Sequence, residues 1–143
     1  MRRRSSLSMT RTAETRISDL IIPAFWDVFN DAAHTHKILT SGRAGTKTSE
    51  AAIEAVYKLV SLPECSEVVI RKRHNKLRKT VYKEIKRAIR RLGIPESKFK
   101  ITVSPMEITY KPNGNVIYFT GSDSIDDTKG IIDESKPIKL VLL

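Results

Sequence analysis

The apolar positions of this chain alternate between a helical and a strand period, and the switches mark its elements. From Ser18 to about Ala33, Leu20, Ile21, Phe25, Phe29 and Ala32 fall near helical spacing, with Pro23 admissible only in a first turn or at a kink. "HKILTSG", residues 36–42, reads as a brief strand entering a glycine-containing turn. "TSEAAIEAVYKLVSL", residues 48–62, reads as a helix with Ile53, Val56, Tyr57 and Val60 on one stripe. "SEVVIRK", residues 66–72, is a compact β-branched run that predicts a buried strand. The 3.6-residue period then returns, with Leu77, Val81, Ile85, Ile89 and Leu92 on one side of a long helix ended by Gly93 and Pro95. "MEITYKPNGNVIYFTG", residues 106–121, predicts two alternating strands about Pro112, Asn113 and Gly114. After the polar stretch "GSDSIDDTKG" comes "KPIKLVLL", a buried-strand run.

Strands that alternate with helices predict an α/β fold, a mostly parallel sheet with helices on both faces and one antiparallel hairpin. The 143 residues suit one domain, and residues 1 to about 16, with five arginines and no periodicity, predict a mobile basic arm rather than a transit peptide. The longest apolar run, "LIIPAFW", is too short to span a bilayer. The single cysteine, Cys65, excludes an internal disulfide and a zinc cluster, and points to a reducing compartment. A net charge of +10 favours a polyanionic partner, nucleic acid first, although a merely solvated surface has the same composition.

The segment "SGRAGTKTS" nearly meets the phosphate-loop pattern G-x-x-x-x-G-K-[ST]. When Lys47 and Thr48 are aligned with its end, Ser41 and Thr46 stand where the two glycines belong. The chemistry needs backbone N–H groups aimed at phosphate oxygens, an ammonium near the β/γ-phosphates and a hydroxyl for Mg²⁺. Gly42 and Gly45 supply the turn one residue displaced, Lys47 the charge and Thr48 the hydroxyl. A glycine-containing strand-to-helix turn capped by Thr46 or Thr48 accounts for the same residues.

The stretch from Ile38 to Leu59 resembles the start of the large subunit of tailed-phage terminases, the DNA-packaging motor. That family's loop characteristically carries an arginine, as in "SGRAGTKTS", and often departs from the strict glycine pattern. The resemblance continues through "EVVIRK", "LRKTVYKEIKRAIRRLGI", "SPMEITYKPNGNVIYFTGSDSIDDTKG" and "KPIKLVLL", with Phe119, Gly121, Asp123, Lys129 and Gly130 in the family's loop pattern, and covers about residues 17–143. It implies a P-loop NTPase-like domain binding ATP and Mg²⁺ through Ser41, Gly42, Arg43, Ala44, Gly45, Thr46, Lys47 and Thr48. Lys47 would lie on the β/γ-phosphates, Thr48 on the metal, and Arg43 beside the γ-phosphate as an arginine finger. It also implies double-stranded phage DNA, a terminase small subunit and a portal as partners, oligomerisation of the full-length motor, and the cytoplasm of a bacterial host. Phe25 and Trp26, just upstream, suit either stacking on adenine or core packing.

Between Arg71 and Arg91 eleven Lys or Arg face one acid, Glu84, so most of these charges lack helical partners. Arg78, Lys79, Lys86 and Arg90 are the candidate contacts to a DNA backbone; a self-repelling solvated face is the alternative. Asp123, Asp126 and Asp127 match no metal loop and read as a polar surface loop. "IKLVLL" fits the apolar part of a Walker B strand, but no acid follows before Leu143, and no nuclease half is present. The expectation is therefore the N-terminal part of a terminase ATPase domain, residues 17–143, which binds nucleotide and does not hydrolyse it alone. The competing expectation is a small basic nucleic-acid-binding protein without nucleotide chemistry.

Overall fold

Residue Ile22 sets the shape of the segment from Arg16 to Ile38, because the proline that follows it disfavours helical backbone there. Its φ of −64° and ψ of 134° are extended, as a residue before proline requires. The single helix expected from Ser18 to Ala33 is consequently three pieces: α1, Ile17–Leu20; a 3₁₀ turn, Pro23–Phe25; and α2, Trp26–Asn30. The structure, a computed structural model, describes residues 16–38, 47–71, 80–121 and 136–143. The remaining elements are α3, Lys47–Ser61; β1, Ser66–Arg71; α4, Val81–Arg91; β2, Phe99–Val103; β3, Met106–Tyr110; β4, Asn115–Gly121; and β5, Ile138–Leu142.

The fold is α/β, as the patterning predicts. Five strands form one mixed sheet in the order β2-β3-β4-β1-β5. β1 lies parallel to both β4 and β5, whereas β2, β3 and β4 form an antiparallel meander. The hairpin expected about Pro112, Asn113 and Gly114 is β3–β4, and Gly114 holds a left-handed φ of 72° that a side chain would strain. β2 has no counterpart among the expected strands. Its Phe99, Ile101 and Val103 do alternate, but Pro105 two residues on obscures the strand.

The described helices gather on one face of the sheet. Ala52, Ile53, Ala55, Val56 and Leu59 of α3, with Val81, Tyr82, Ile85, Ala88 and Ile89 of α4, share one core cluster with Val69, Ile108, Ile117 and Phe119. Those strand residues alternate with Val68 and Tyr118, which form a small separate cluster with Ile70 and Val116 on the opposite face. The Tyr82 ring meets Phe119 edge-on at 5.3 Å, and its hydroxyl donates to the Thr102 carbonyl at 3.3 Å, so α4 is seated across β4 and β2. α4 ends where Gly93 turns left-handed. The Gly93 N–H reaches the Arg90 carbonyl at 3.0 Å and the Ile94 N–H the Ile89 carbonyl at 3.2 Å, the double bond of a Schellman cap.

Two expectations change in detail. Tyr57, placed on the core stripe of α3, is 42% exposed, and Leu59 takes the central position instead. The buried strand expected at β5 is buried on one side alone: Leu140 and Leu142 pack against the core, but Ile138 and Val141 are 45% and 47% exposed on the other side. Of the "HKILTSG" strand, only residues up to Ile38 are described; they are not in strand, and Ile38 is 86% exposed.

The turn after β3 also closes the far end of α3. Asn115, fully buried, donates to the carbonyls of Leu59 and Leu62 at 2.9 and 2.7 Å, while its oxygen accepts the Cys65 N–H at 3.0 Å. Asn113 donates to the same helix end, and Lys136 joins both asparagines through the Asn113 carbonyl and the Asn115 oxygen. Helix carbonyls that have no partner within α3 are thereby satisfied.

Candidate functional site

α3 begins at Lys47, followed by Thr48 and Ser49, and all three are half-buried. An ammonium and two hydroxyls thus stand in the first turn of a 15-residue helix, the end at which unpaired N–H groups and the helix dipole attract anions. Ser41, Gly42, Arg43, Ala44, Gly45 and Thr46 lie outside the described residues, as do Arg78 and Lys79 of the basic segment and Asp123, Asp126 and Asp127.

The first turn of α3 is tied to two other elements. Arg91, the last residue of α4, donates from Nη1 to the Ser49 hydroxyl at 2.9 Å and from Nη2 to the Leu20 carbonyl at 3.4 Å. Glu50, 5% exposed, accepts the Ile22 N–H on Oε1 at 3.4 Å, while its Oε2 has no partner. Burial pushes this carboxyl above its ordinary pKa, opposed by the Ile22 hydrogen bond and the Arg91 charge. The charge pattern alone groups Arg91 with the outward cations. Its position three residues after Ala88 puts it at the edge of the apolar stripe, a place that suits an inward or an outward side chain alike.

The upstream aromatics form a seam along the same helix. Trp26 stacks on Phe29 at 5.9 Å, and Phe29 meets Tyr57 of α3 at 5.7 Å; Phe25 packs against the core. Phe25 and Phe29, with Ile21, Val28, Glu50, Ala51 and Glu54, bound a cleft against α3.

On α4, Lys83, Arg87 and Arg90 are exposed and Lys86 is half-exposed. Arg87 approaches Glu84 at 3.8 Å and Arg90 reaches Glu96 at 3.3 Å. Both are solvent-exposed pairs of little energetic weight. Lys83 and Lys86 meet no carboxylate among the described residues.

A second group of polar side chains sits under the sheet, at the opposite end of α3. Glu67 of β1 is 1% exposed and points among the helices; the Cys65 thiol donates to its Oε1 at 3.8 Å, and Oε2 has no partner. Desolvation holds this carboxyl well above its ordinary pKa, against the nearby Lys58 charge. The Cys65 thiol is in turn pushed up to about 12, by burial first and by Glu67 second. Lys58 and Lys37 both pair with Glu54, at 2.9 and 3.0 Å. Reading "SEVVIR" as a uniformly apolar strand overlooks this inward carboxylate. Among the described residues no group of three or more acids, histidines or cysteines is placed to hold a metal, and no helix is long and apolar enough to cross a membrane.

An α/β sheet preceded by a lysine-opened helix and crossed by a basic helix is the frame in which the chain's relatives can be placed. The model of the phage terminase large subunit family matches residues 33–141, from before α3 into β5, and this chain belongs to that family. The large subunit of terminase from Bacillus phage SPP1 is 29% identical over 128 residues. That match covers 87% of this chain and 30% of the SPP1 protein, so the chain spans about a third of that relative's length.

Proposed function

We propose that this chain is the nucleotide-phosphate-binding part of a DNA-packaging terminase large subunit, with ATP and Mg²⁺ as its cofactors and duplex DNA as its polyanionic partner. One observation carries the reading: Lys47 and Thr48 open a helix that is buried along one side against a largely parallel sheet centre and held in place at both ends.

The donor set suits a triphosphate. The Lys47 ammonium and the first-turn N–H groups complement the β- and γ-phosphates, the Thr48 hydroxyl supplies one oxygen to Mg²⁺, and Arg43 answers the charge on the γ-phosphate. The Thr48 hydroxyl would hold Mg²⁺, which when bound would supply neutralisation of the phosphate charge. Thr48 is the candidate ligand for it among the described residues, and the reading assigns binding and not hydrolysis to these residues. The outward cations of α4, with Arg78 and Lys79 before it, contact DNA phosphates without reading base edges. The family supports a small subunit and a portal as partners of the full-length motor, and the reading adds that the motor works as a homo-oligomer.

Titration of labelled ATP with Mg²⁺ tests this. Lys47→Ala is expected to weaken binding by about tenfold or more, as removal of a charge-assisted hydrogen bond to phosphate implies. Equal affinities for the two proteins would remove the phosphate-loop reading. Lys83 and Lys86, which meet no carboxylate among the described residues, support a second reading, a nucleic-acid-binding module without nucleotide chemistry, and DNA affinity indifferent to both ATP and Lys47 would favour it.

A further inference from the structure

Arg91 joins its own helix to two elements that are far from it in sequence. Its guanidinium leaves the C-terminal end of α4, bonds the Ser49 hydroxyl in the first turn of α3 and the carbonyl of Leu20 at the end of α1, and acts on the buried Glu50 carboxylate through its charge. Ser49 directly follows Lys47 and Thr48. Glu50, the next residue, is itself fastened to the Ile22 backbone, so two adjacent residues of this turn are anchored to the N-terminal segment, one directly and one through Arg91.

We propose that Arg91 is a positioning residue for the phosphate-binding end of α3, acting through Ser49 to fix where Lys47 and Thr48 stand. The inference rests on the phosphate-binding reading of that turn and adds a residue 43 positions away from Thr48. The side chain has to be arginine, because two acceptors on different elements are bridged by two nitrogens of one planar fork. A lysine ammonium on a flexible stem reaches one acceptor or the other with no fixed angle between them. The same contact joins the basic helix to the phosphate-binding turn, so any shift of the C-terminal end of α4 is delivered to Ser49.

The experiment uses the whole chain in four forms: wild type, Arg91→Gln, Arg91→Lys and Ser49→Ala. Amide hydrogen exchange is followed along α3, and Mg-ATP affinity is measured in parallel. In Arg91→Gln the amides of residues 50–53 should exchange about tenfold faster while those of residues 57–61 are unchanged, the order expected from removing a charged hydrogen bond at a half-exposed site. Mg-ATP affinity should fall by a similar factor. Ser49→Ala should act in the same direction, and Arg91→Lys should recover only part of the loss. Exchange that rises equally along all of α3, or that does not change, overturns the proposal, because Arg91 is then only a general stabiliser or is idle. Unchanged affinity with selectively faster exchange also overturns it, since the turn would then be loosened without consequence for phosphate. If wild type itself binds no Mg-ATP, the phosphate-loop reading falls and the positioning role falls with it; selective exchange would then mark a structural tie alone.

Discussion

Asn115 donates a hydrogen bond from its buried side-chain amide to the carbonyl of Leu59, 2.9 Å away, and so fastens the start of β4 to the last turn of α3. The same amide reaches Leu62, and its oxygen holds the N–H of Cys65. Replacing it with alanine leaves two carbonyls and one N–H buried without this partner. Asn115→Ala should therefore lower unfolding free energy by about 1–3 kcal/mol, read from urea denaturation, the cost of the orphaned Cys65 N–H, because Asn113 still reaches the Leu59 and Leu62 carbonyls. Asn115→Asp should be worse, because a carboxylate cannot donate to the helix carbonyls and meets the negative end of the α3 dipole. A loss below about 0.5 kcal/mol for both variants would show that the clamp is dispensable.

Glu67 makes the stability of the fold depend on pH. Burial raises its pKa in the folded state above the ordinary 4.5 of the unfolded chain. Above pH 4.5 the folded state thus binds more protons than the unfolded one at this site, and the contribution of Glu67 to stability declines as pH rises until the folded carboxyl itself ionises. Glu67→Gln, which mimics the neutral acid, should match wild type near pH 4 and become progressively more stable than it towards neutral pH. Thermal melts of both proteins across that range measure the difference, and parallel pH profiles would refute it.

Cys65 should be inert in the native protein. Its thiol stands at about 12 against an ordinary 9.0, which leaves roughly a thousandfold less thiolate at a given pH. Alkylation by iodoacetamide at pH 8 should accordingly be very slow until urea unfolds the chain. Glu67→Gln removes a neighbouring source of negative charge and is expected to speed it modestly. Rapid labelling of the folded wild type would show that the site opens readily.

Duplex DNA should bind without sequence preference and with steep salt dependence. Arg78, Lys79, Lys86 and Arg90 changed together to Glu should weaken binding strongly and flatten the slope of log K against log salt by about 3–4, close to 0.9 for each phosphate that is no longer neutralised. Arg91→Gln should leave that slope unaltered, because its guanidinium is engaged by Ser49 and Leu20. A quadruple variant that binds like wild type at every salt concentration would reduce the helix to a solvated face.

Patterning alone was enough for the α/β class, the hairpin about Gly114, the extents of α3 and of the C-terminal part of α4, and the glycine that ends α4. These depend on nearest neighbours along the chain: a 3.6-residue stripe, a two-residue alternation, a residue able to hold positive φ. Membership of the terminase family was legible for a related reason, since consecutive short segments in "SGRAGTKTS" and after it keep their order and spacing. Contacts between distant segments were not legible. That Asn115 caps α3 fifty-six residues before it, that Arg91 faces Ser49 rather than solvent, and that Glu67 lies inward beside Cys65 are decided by which face of the sheet each strand presents and where the helices rest upon it. A polar side chain carries the same local signal whether it meets water or a buried carbonyl. Only the packed tertiary structure chooses between them, because the cost of an unpaired buried group exists only once water has been excluded.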